Sequence, residues 1–357
     1  MILDEILANK RREVEERRAK RPLEHPAAPR SRPPGSAETT LKTATASTNF
    51  PGTADGATGA PGGSALEPAT SGASVTAYAA GTADTAGTTL SEDTTPIAGT
   101  PLVAGGTRIT DTAHSGGGSC VVASRSRFVD VLRQPGVSFI AEIKRRSPSG
   151  GLIRPDLAVA QIAQTYATAG AAALSVLTDQ RYFGGADADL TSAQRASGLP
   201  CLRKDFVVDP YQILEAHELG ASAVLLIVRA LSDNELRSLL ELTHTCGMEA
   251  LVETHSAAEV ERALCAGARV VGVNNRDLDT LITDVSLAPR LRPLVPADCV
   301  FVAESGISQP EHVARLRDAG VDAVLVGESL LRAADPGARL SALIAAGAPG
   351  DVPGGAQ

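Results

Sequence analysis

Eight apolar runs, separated by amphipathic segments, limit the folds that are open to this chain. The runs are VSFIAEIK (137–144), AALSVLT (172–178), PCLRK (200–204), AVLLIV (223–228), MEALVE (248–253), RVVGVN (269–274), VFVAES (300–305) and AVLVG (323–327). Segments between them, such as DPYQILEAHELGA and SAAEVERALCAGA, have helical periodicity. Nearly continuous apolar strands that alternate with helices indicate a parallel sheet buried on both faces. Eight strand–helix units in about 210 residues predict an α/β fold, a closed (β/α)8 barrel of the TIM type.

The first 25 residues are predicted to form a helical extension ahead of the barrel. ILDEILANKRREVEERRAK places Leu3, Ile6 and Val14 on roughly one helical face, with acidic and basic residues spaced as i,i+4 pairs elsewhere. Pro22 ends this helix, because proline cannot continue the hydrogen-bond ladder. We expect residues 1–25 to pack on the barrel as an N-terminal helix.

A change of composition separates this helix from the barrel. Between residues 26 and 124 the chain consists mainly of Ala, Gly, Thr, Ser and Pro, as in TADGATGAPGGSALEPATSG. Such a segment cannot bury enough apolar surface to offset its chain entropy. We therefore expect residues 26–124 to be a disordered low-complexity insert. Residues 125–346 are then the catalytic barrel, and residues 347–357 a flexible tail.

Charge and spacing exclude several classes of protein. The formal net charge of −8 leaves no basic surplus for general nucleic-acid binding. No apolar run approaches the roughly 20 residues that span a bilayer, and the charged N-terminus lacks a secretion-signal core. The five cysteines lack CxxC spacing and the six histidines lack HxxH or HExxH spacing, so no metal site or redox pair is expected. We expect a cytoplasmic protein with neither a nucleic-acid nor a membrane partner; the sequence leaves the oligomeric state open, with a monomer as the working expectation.

Charged and amide side chains occur at the carboxyl ends of separate runs. They are Glu142, Lys144, Lys204, Glu253, Asn274 and Glu304. In a barrel these ends form the catalytic face, and strand residues two apart share the inward direction. Each group would cost several kcal/mol if it were buried without a partner. Mutual pairing could explain any one of them, but a ring of such groups at one end predicts a ligand site.

The loops after the seventh and eighth runs carry signals of phosphate binding. Ser305 and Gly306 follow the seventh run in AESGIS, and Gly327 and Ser329 follow the eighth in VGESLLR. These two loops and a short helix are the recurring phosphate site of such barrels, in which backbone N–H groups hold the anion. Ser147, in the basic loop KRRSPSGG after the first run, is a further expected phosphate donor.

Several motifs, in order along the chain, resemble the indole-3-glycerol phosphate synthase family, the barrel enzymes of tryptophan biosynthesis. They are AEIKRRSPSGG, SVLTDQRYFGG, LRKDFVVDPYQI, ALVETH, GVNNRDLDTL, VAESGI and VGESLL, and ILDEILANKRREVEER resembles the family's leading helix. The resemblance covers about residues 1–25 and 125–345. It departs from the family in the long insert and at Gly150, where the family often has lysine.

This resemblance implies a reaction and roles for the polar ring. The reaction is closure of 1-(2-carboxyphenylamino)-1-deoxyribulose 5-phosphate to indole-3-glycerol phosphate, with loss of CO2 and water and without a cofactor. Lys204 is the expected general acid and Glu253 the expected base. Lys144 either binds the substrate carboxylate and phosphate or serves as a second acid. The other implied contacts are Glu142, Asn274 and Glu304 for sugar hydroxyls and lysines, Arg276 for the substrate or a structural pair, and Pro148, Phe183 and Phe206 for the anthranilate ring.

Two alternatives remain open at the level of sequence. A phosphoribosyl isomerase or a tryptophan synthase α-type lyase would share the phosphate end, but neither explains the set Glu142, Lys144, Lys204 and Glu253. A barrel scaffold whose long insert binds a partner would not need the polar ring at all. An assay with the carboxyphenylamino substrate separates the enzymes, and deletion of residues 30–120 tests the scaffold.

Overall fold

The computed structural model describes residues 2–23 and 127–349, and the predicted insert and most of the predicted tail lie outside them. The helices are α1 (Ile2–Lys20), α2 (Arg127–Leu132), α3 (Val159–Thr168), α4 (Gln180–Phe183), α5 (Asp187–Ser197), α6 (Pro210–Glu218), α7 (Asp233–Thr245), α8 (Ala257–Ala266), α9 (Leu287–Leu291), α10 (Pro310–Asp318), α11 (Glu328–Leu331) and α12 (Pro336–Gly347). Within these ranges, every helix is too short or too polar to cross a lipid bilayer.

The barrel strands follow the predicted runs, with each bound within one residue. They are β1 (Ser138–Ile143), β2 (Ala173–Leu177), β3 (Cys201–Lys204), β4 (Ala223–Ile227), β5 (Glu249–Thr254), β6 (Val270–Asn274), β7 (Val300–Glu304) and β8 (Ala323–Val326). They pair in parallel and in chain order, and β1 closes the barrel by pairing with both β2 and β8. The predicted (β/α)8 barrel is therefore confirmed. Every strand residue except Lys204 is buried, which explains why the runs are apolar rather than alternating.

Two helices cover opposite ends of the barrel. Phe128 and Leu132 of α2 are fully buried against inward residues at the amino ends of the strands, such as Ala173 and Val300. The hydroxyl of Ser138, the first residue of β1, donates a hydrogen bond to the backbone carbonyl of Val131 in α2. The helix α1 lies at the carboxyl ends, where its apolar side chains line a pocket. The helix α2 thus closes the amino end of the barrel, and α1 covers part of the carboxyl end.

Three consecutive charges at the end of β3 face three different surroundings. Arg203 points outward, is 1% exposed, and places Nη2 2.7 Å from Glu215 Oε2 on α6. Lys204 points inward to the pocket. Asp205, just past the strand, accepts the ammonium of Lys10 on α1 at 2.9 Å. The alternation of a strand therefore accounts for a charged sequence inside a buried sheet.

Candidate active site

A pocket of about 400 Å³ opens at the carboxyl end of the barrel. The strand ends, the loops that follow them and α1 all contribute to its wall. Every residue that the sequence places in the site lines this pocket: Glu142, Lys144, Ser147, Pro148, Phe183, Lys204, Phe206, Glu253, Asn274, Arg276, Glu304, Ser305, Gly306, Gly327 and Ser329. The pocket thus brings the whole predicted set together, while the role of each residue stays a prediction.

Two ammonium groups and three carboxylates form one connected cluster in the pocket. Lys204 Nζ lies 2.5 Å from Glu304 Oε2, 3.7 Å from Glu253 Oε2 and 3.9 Å from Glu142 Oε2. The other oxygen of Glu142, Oε1, lies 2.5 Å from Lys144 Nζ. Glu142 therefore joins the two lysines, and Lys204 joins three strands.

Two glycines make room for these carboxylates. A Cβ atom at Gly327 would lie 2.5 Å from Glu142 Oε1 and 2.9 Å from its Cβ. A Cβ atom at Gly272, on β6, would lie 2.5 Å from Glu304 Oε1. Real Cβ atoms do not approach other atoms so closely, so any side chain at either position would displace a carboxylate of the cluster.

The cluster keeps Lys204 protonated. Burial by itself lowers the pKa of this ammonium, but the carboxylates of Glu304, Glu253 and Glu142 outweigh that effect and raise the pKa above its ordinary value. Burial acts in the opposite sense on Glu142, whose pKa is nevertheless lowered by Lys144 and Lys204. The contact between Lys204 and Glu142 is therefore a contact between charged groups at neutral pH.

The surroundings of Glu253 and Glu304 separate the pKa values of these two carboxyls. Burial, with the nearby charges of Glu253 and Glu142, raises the pKa of Glu304 to about 7 despite the contact with Lys204. Burial also opposes ionisation of Glu253, but a contact with His255, the charge of Lys204 and an amide hydrogen bond bring its pKa to about 2. Glu253 is thus the more fully ionised of the two at neutral pH, as suits a proton acceptor.

Sequence analysis missed His255 as a neighbour of the site. Its imidazole is 2% exposed, and Nε2 lies 3.4 Å from Glu253 Oε1. On the same oxygen, the Asn274 side-chain amide donates a hydrogen bond at 3.2 Å. A signal was available, because His255 follows Glu253 by two residues and so shares its direction from the strand.

The phosphate end is a turn with unusual backbone angles. Ser305 and Gly306 both have positive φ values, of 64° and 77°. Turns of this kind expose successive backbone N–H groups in an anion-binding concavity. A Cβ at Gly306 would lie 2.6 Å from Thr283 Cγ2, so the position also requires glycine for space. The Ser329 hydroxyl donates its one proton to the Ile307 carbonyl at 3.0 Å.

The opposite wall of the pocket is apolar. The rings of Phe183 and Phe206 have centroids 6.1 Å apart and planes inclined by 41°. Leu3 and Ile6 of α1 add aliphatic surface, and Pro148 comes from the first loop. Such a wall suits a flat aromatic ring, whose burial removes apolar area from water.

The position of Arg276 leaves both of its predicted roles open. It lines the pocket, and its Nε donates to the Thr283 hydroxyl at 3.3 Å while its guanidinium also contacts the Ser149 hydroxyl in the first loop. The side chain therefore connects the loop after β6 with the loop after β1. Ser147 stabilises that first loop as well, because its hydroxyl accepts the backbone N–H of Gly150 at 3.0 Å.

Lys10 is a second residue that sequence analysis missed. It is 2% exposed, and Nζ lies 2.8 Å from Asp179 Oδ2 and 2.9 Å from Asp205 Oδ1. Asp179 also caps α4, which ends at Phe183, by accepting a backbone N–H at 2.7 Å. Asp205 stands between Lys204 and Phe206. The helix α1 is therefore ion-paired to the two segments that carry the pocket's aromatic rings.

Comparison with known proteins supplies the family. The family model of indole-3-glycerol phosphate synthase matches residues 117–343, well over half of the chain. The chain belongs to the indole-3-glycerol phosphate synthase family. The match begins beyond α1, so the resemblance of that helix to the family's leading helix stays a prediction.

Curated relatives agree with this assignment. An indole-3-glycerol phosphate synthase of Acidithiobacillus ferrooxidans is 52% identical over 229 residues, which cover 62% of this chain and 86% of the relative. Indole-3-glycerol phosphate synthase 2 of Streptomyces coelicolor is 52% identical over 217 residues, 61% of this chain and 84% of the relative. The synthase of Lachnoclostridium phytofermentans is 47% identical over 222 residues, 62% of this chain and 82% of the relative. Membership in the synthase family decides against the phosphoribosyl isomerase and the tryptophan synthase α-type lyase.

Proposed function

We propose that this chain is the lyase that closes 1-(2-carboxyphenylamino)-1-deoxyribulose 5-phosphate to indole-3-glycerol phosphate in tryptophan biosynthesis. The observation that carries the proposal is the cluster of Lys144 and Lys204 with three carboxylates, in one pocket of a chain of the synthase family. A glycine-bearing turn suited to phosphate and an apolar wall suited to the anthranilate ring share that pocket.

Ring closure is the first step. The aromatic carbon that bears the carboxylate attacks the ketone carbon, and the ketone oxygen needs a proton as its charge develops. Lys204 is the proposed donor, because its ammonium is kept charged by neighbouring carboxylates and held at 2.5 Å by Glu304. Lys144 remains either the partner of the substrate carboxylate and phosphate or a second acid.

Loss of CO2 and of water completes the reaction. The C–C bond to the carboxylate breaks, and its electron pair restores the aromatic ring. The hydroxyl then leaves with a further proton as water, while Glu253 removes a proton from the methylene carbon next to nitrogen. A carboxylate with a pKa of about 2 is ionised at neutral pH and is ready for this role as base.

Binding is assigned to the two walls of the pocket. We propose that the phosphate contacts Ser305, Gly306, Gly327 and Ser329, with Ser147 as a further donor. The anthranilate ring is placed against Pro148, Phe183 and Phe206, with Arg276 in reach of the substrate. Glu142, Asn274 and Glu304 are assigned to the sugar hydroxyls and to orienting the lysines.

Localisation, cofactors and partners form a further part of the proposal. We propose a cytoplasmic enzyme that needs neither a metal ion nor an organic cofactor and has no nucleic-acid or membrane partner, with a monomer as the simplest state. The acidic net charge supports the absence of a nucleic-acid partner. Residues 26–124 are proposed to be a disordered insert between the leading helix and the barrel.

A direct assay tests the proposed function. The purified chain is incubated with the carboxyphenylamino substrate, and the indole fluorescence of the product is recorded against time. We expect fluorescence to rise with a rate proportional to enzyme concentration and CO2 to be released in equal amount. A silent assay, together with turnover of a phosphoribosyl isomerase or lyase substrate, would contradict the proposal.

A further inference from the structure

The proposed reaction takes up one proton for each substrate that it consumes. The ketone oxygen gains two protons before it leaves as water, whereas only one proton leaves carbon when the new double bond of the pyrrole forms. Loss of CO2 from the carboxylate moves an electron pair and no proton. A second proton donor alone does not meet this demand, because Lys204 must regain its proton before each new turnover. One proton must therefore come from solvent every time.

A line of four alternating charges runs from the pocket toward the outer surface of the barrel. Lys204 Nζ lies 3.7 Å from Glu253 Oε2, and His255 Nε2 lies 3.4 Å from Glu253 Oε1. The other ring nitrogen of His255, Nδ1, lies 3.2 Å from Glu259 Oε2 on α8. Side-chain exposure is 14% at Lys204 on the pocket side, 3% at Glu253, 2% at His255 and 12% at Glu259 on the outer side. The line joins the proposed general acid to a residue that reaches water.

The backbone holds the imidazole between the two carboxylates. His255 is the first residue after β5, and its own N–H donates to Glu259 Oε2 at 2.8 Å. Ser256 caps α8 by accepting the backbone N–H of Glu259 at 3.2 Å. The second oxygen of Glu259, Oε1, lies 3.3 Å from Arg229 Nε. The ring therefore has a fixed position at the junction of strand and helix.

We propose that His255 is a proton-relay residue that acts through Glu253 to return protons from solvent to Lys204. The imidazolium gives its Nε2 proton to one oxygen of Glu253. That carboxyl gives a proton from its other oxygen to the neutral amine of Lys204, which becomes an ammonium again. The imidazole keeps its Nδ1 proton toward Glu259 and regains a proton at Nε2 from solvent in the cavity that His255 lines. The inference rests on the proposed function, because the relay serves the proton that ring closure consumes.

The charges around the ring favour its protonated form. The groups that face it are Glu253 on β5, Glu259 on α8, Arg229 behind Glu259, Lys204 beyond Glu253, and Asp277 and Asp284 across an adjoining cavity. Burial lowers the pKa of His255, but Glu253 and Glu259 raise it to about 9. His255 Nε2 lies 3.4 Å from Glu253 Oε1 but makes no hydrogen bond there. A small rotation of the ring would align its N–H with that oxygen for proton transfer.

A second cavity makes the relay open to a chemical test. It has a volume of about 280 Å³ and is lined by His255 together with Asn274, Asn275 and the loop after β6. Asn274 also lines the active-site pocket, so the two spaces are neighbours. Small buffer molecules that enter this cavity reach the place of the imidazole when the side chain is shortened.

Replacement of the His255 imidazole by the methyl group of alanine should make kcat depend on the imidazole concentration of the buffer. In dilute buffer without imidazole, we expect His255→Ala to lower kcat by about 100-fold, the lower end of what a positioned proton-transfer group contributes. Added imidazole should restore most of the loss, and substituted imidazoles should do so in the order of their pKa values. The wild-type kcat should not respond to imidazole. A variant with wild-type kcat in dilute buffer, or a loss that no imidazole restores, would overturn the relay.

A variant at the outer end of the line and a matched control complete the design. Glu259→Gln keeps an oxygen for the His255 N–H but removes the charge that favours the imidazolium, and should lower kcat in dilute buffer in the same direction if His255→Ala does not fold. His244 pairs with Glu249 at the other end of β5, 2.8 Å apart, and His244→Ala should show no such response. A wild-type chain without indole formation contradicts the proposed function, whereas normal wild-type turnover with unresponsive variants contradicts only the relay.

Discussion

Lys204 lies at the centre of the charge cluster, and methionine in its place removes the proton proposed for the ketone oxygen. We expect Lys204→Met to fold, because Glu304, with a pKa near 7, can take up a proton once the ammonium is gone. Its kcat should fall by about 100-fold or more, as for loss of a general acid. Steady-state indole formation measures this, with product affinity as the control for an intact pocket. Near-normal turnover would remove Lys204 from the mechanism.

The charge of His255 also makes a pH-dependent contribution to the free energy of unfolding. Burial lowers its pKa, but Glu253 and Glu259 raise it from 6.5 to about 9. A base with a raised pKa stabilises the fold fully below its unfolded pKa, and this contribution disappears as the pH rises through the folded pKa. The shift corresponds to about 3 kcal/mol.

Urea unfolding of His255→Gln tests this dependence. Near about pH 6 the variant should be less stable than the wild type by about 3 kcal/mol, and the difference should be small at about pH 10. His217→Gln, at an exposed position on α6, is the control and should show no such change with pH. A stability difference that stays constant over this range would show that the imidazole is uncharged in the fold.

Gly150 offers a test of the phosphate end. A Cβ atom there would lie 2.9 Å from Glu328 Oε1 and from Ser147 Oγ, both side-chain ends that can move. We expect Gly150→Lys to lower KM by about two- to fivefold at low salt, the effect of one exposed charge pair, with little change in kcat. Gly150→Met has similar length without charge and should leave KM unchanged. Equal KM values for the two variants would place the phosphate elsewhere.

At the scale of elements, α1 and the strand ends form one unit through Lys10. We expect Lys10→Met to destabilise the chain by about 3–5 kcal/mol, because buried Asp179 would lose its ammonium partner and buried Asp205 would keep only the more distant Arg203, at 3.8 Å, as a cationic partner. Lys20→Met, at the exposed end of the same helix, is the matched control. Thermal unfolding measures both.

Activity provides a second measurement on the same variants. Because Asp179 and Asp205 adjoin α4 and Lys204, loss of Lys10 should also lower kcat/KM at temperatures where the variant remains folded. Wild-type kcat/KM in a destabilised Lys10→Met would mean that α1 is only a structural support.

The elements themselves were predictable because they depend on local patterns. A strand such as β4 is buried on both faces and reads as an unbroken apolar run, so its limits follow from the sequence. The two aspartate partners of Lys10 were not predictable, because they lie more than 160 residues away and no local spacing encodes such a pair. A hint existed nonetheless: Lys10 shares a helical face with Leu3, Leu7 and Val14, all of them buried.

At the scale of the whole molecule, strand alternation carried the site prediction. Glu253, Asn274 and Glu304 were placed in one mouth from their positions at strand ends, since a closed parallel barrel brings all carboxyl ends together. Their mutual geometry was beyond sequence reasoning. Which oxygen of Glu142 meets which lysine depends on register and on the space left by Gly327.

Removal of the long connection tests the enzyme against a scaffold. Deletion of residues 30–120 leaves twelve residues, 24–29 and 121–126, which can span roughly 40 Å when extended. We expect kcat/KM to stay within about threefold of the full chain, because loop closure depends only weakly on length. A chain that starts at residue 121 also lacks α1 and should lose most activity. If deletion of residues 30–120 by itself abolishes activity, the connection has a direct role in catalysis.

The seal formed by α2 has a consequence for traffic through the enzyme. Phe128 and Leu132 close the amino end of the barrel, and the barrel interior is packed with side chains. Substrate, CO2, water and the phosphorylated product therefore all pass through the carboxyl end. CO2 is small and neutral and escapes past an occupied site, whereas the larger indole product must leave through the mouth of the pocket, to whose wall α1 and the first loop contribute. Closer packing of α1 over the pocket would therefore slow turnover at product release rather than at substrate binding.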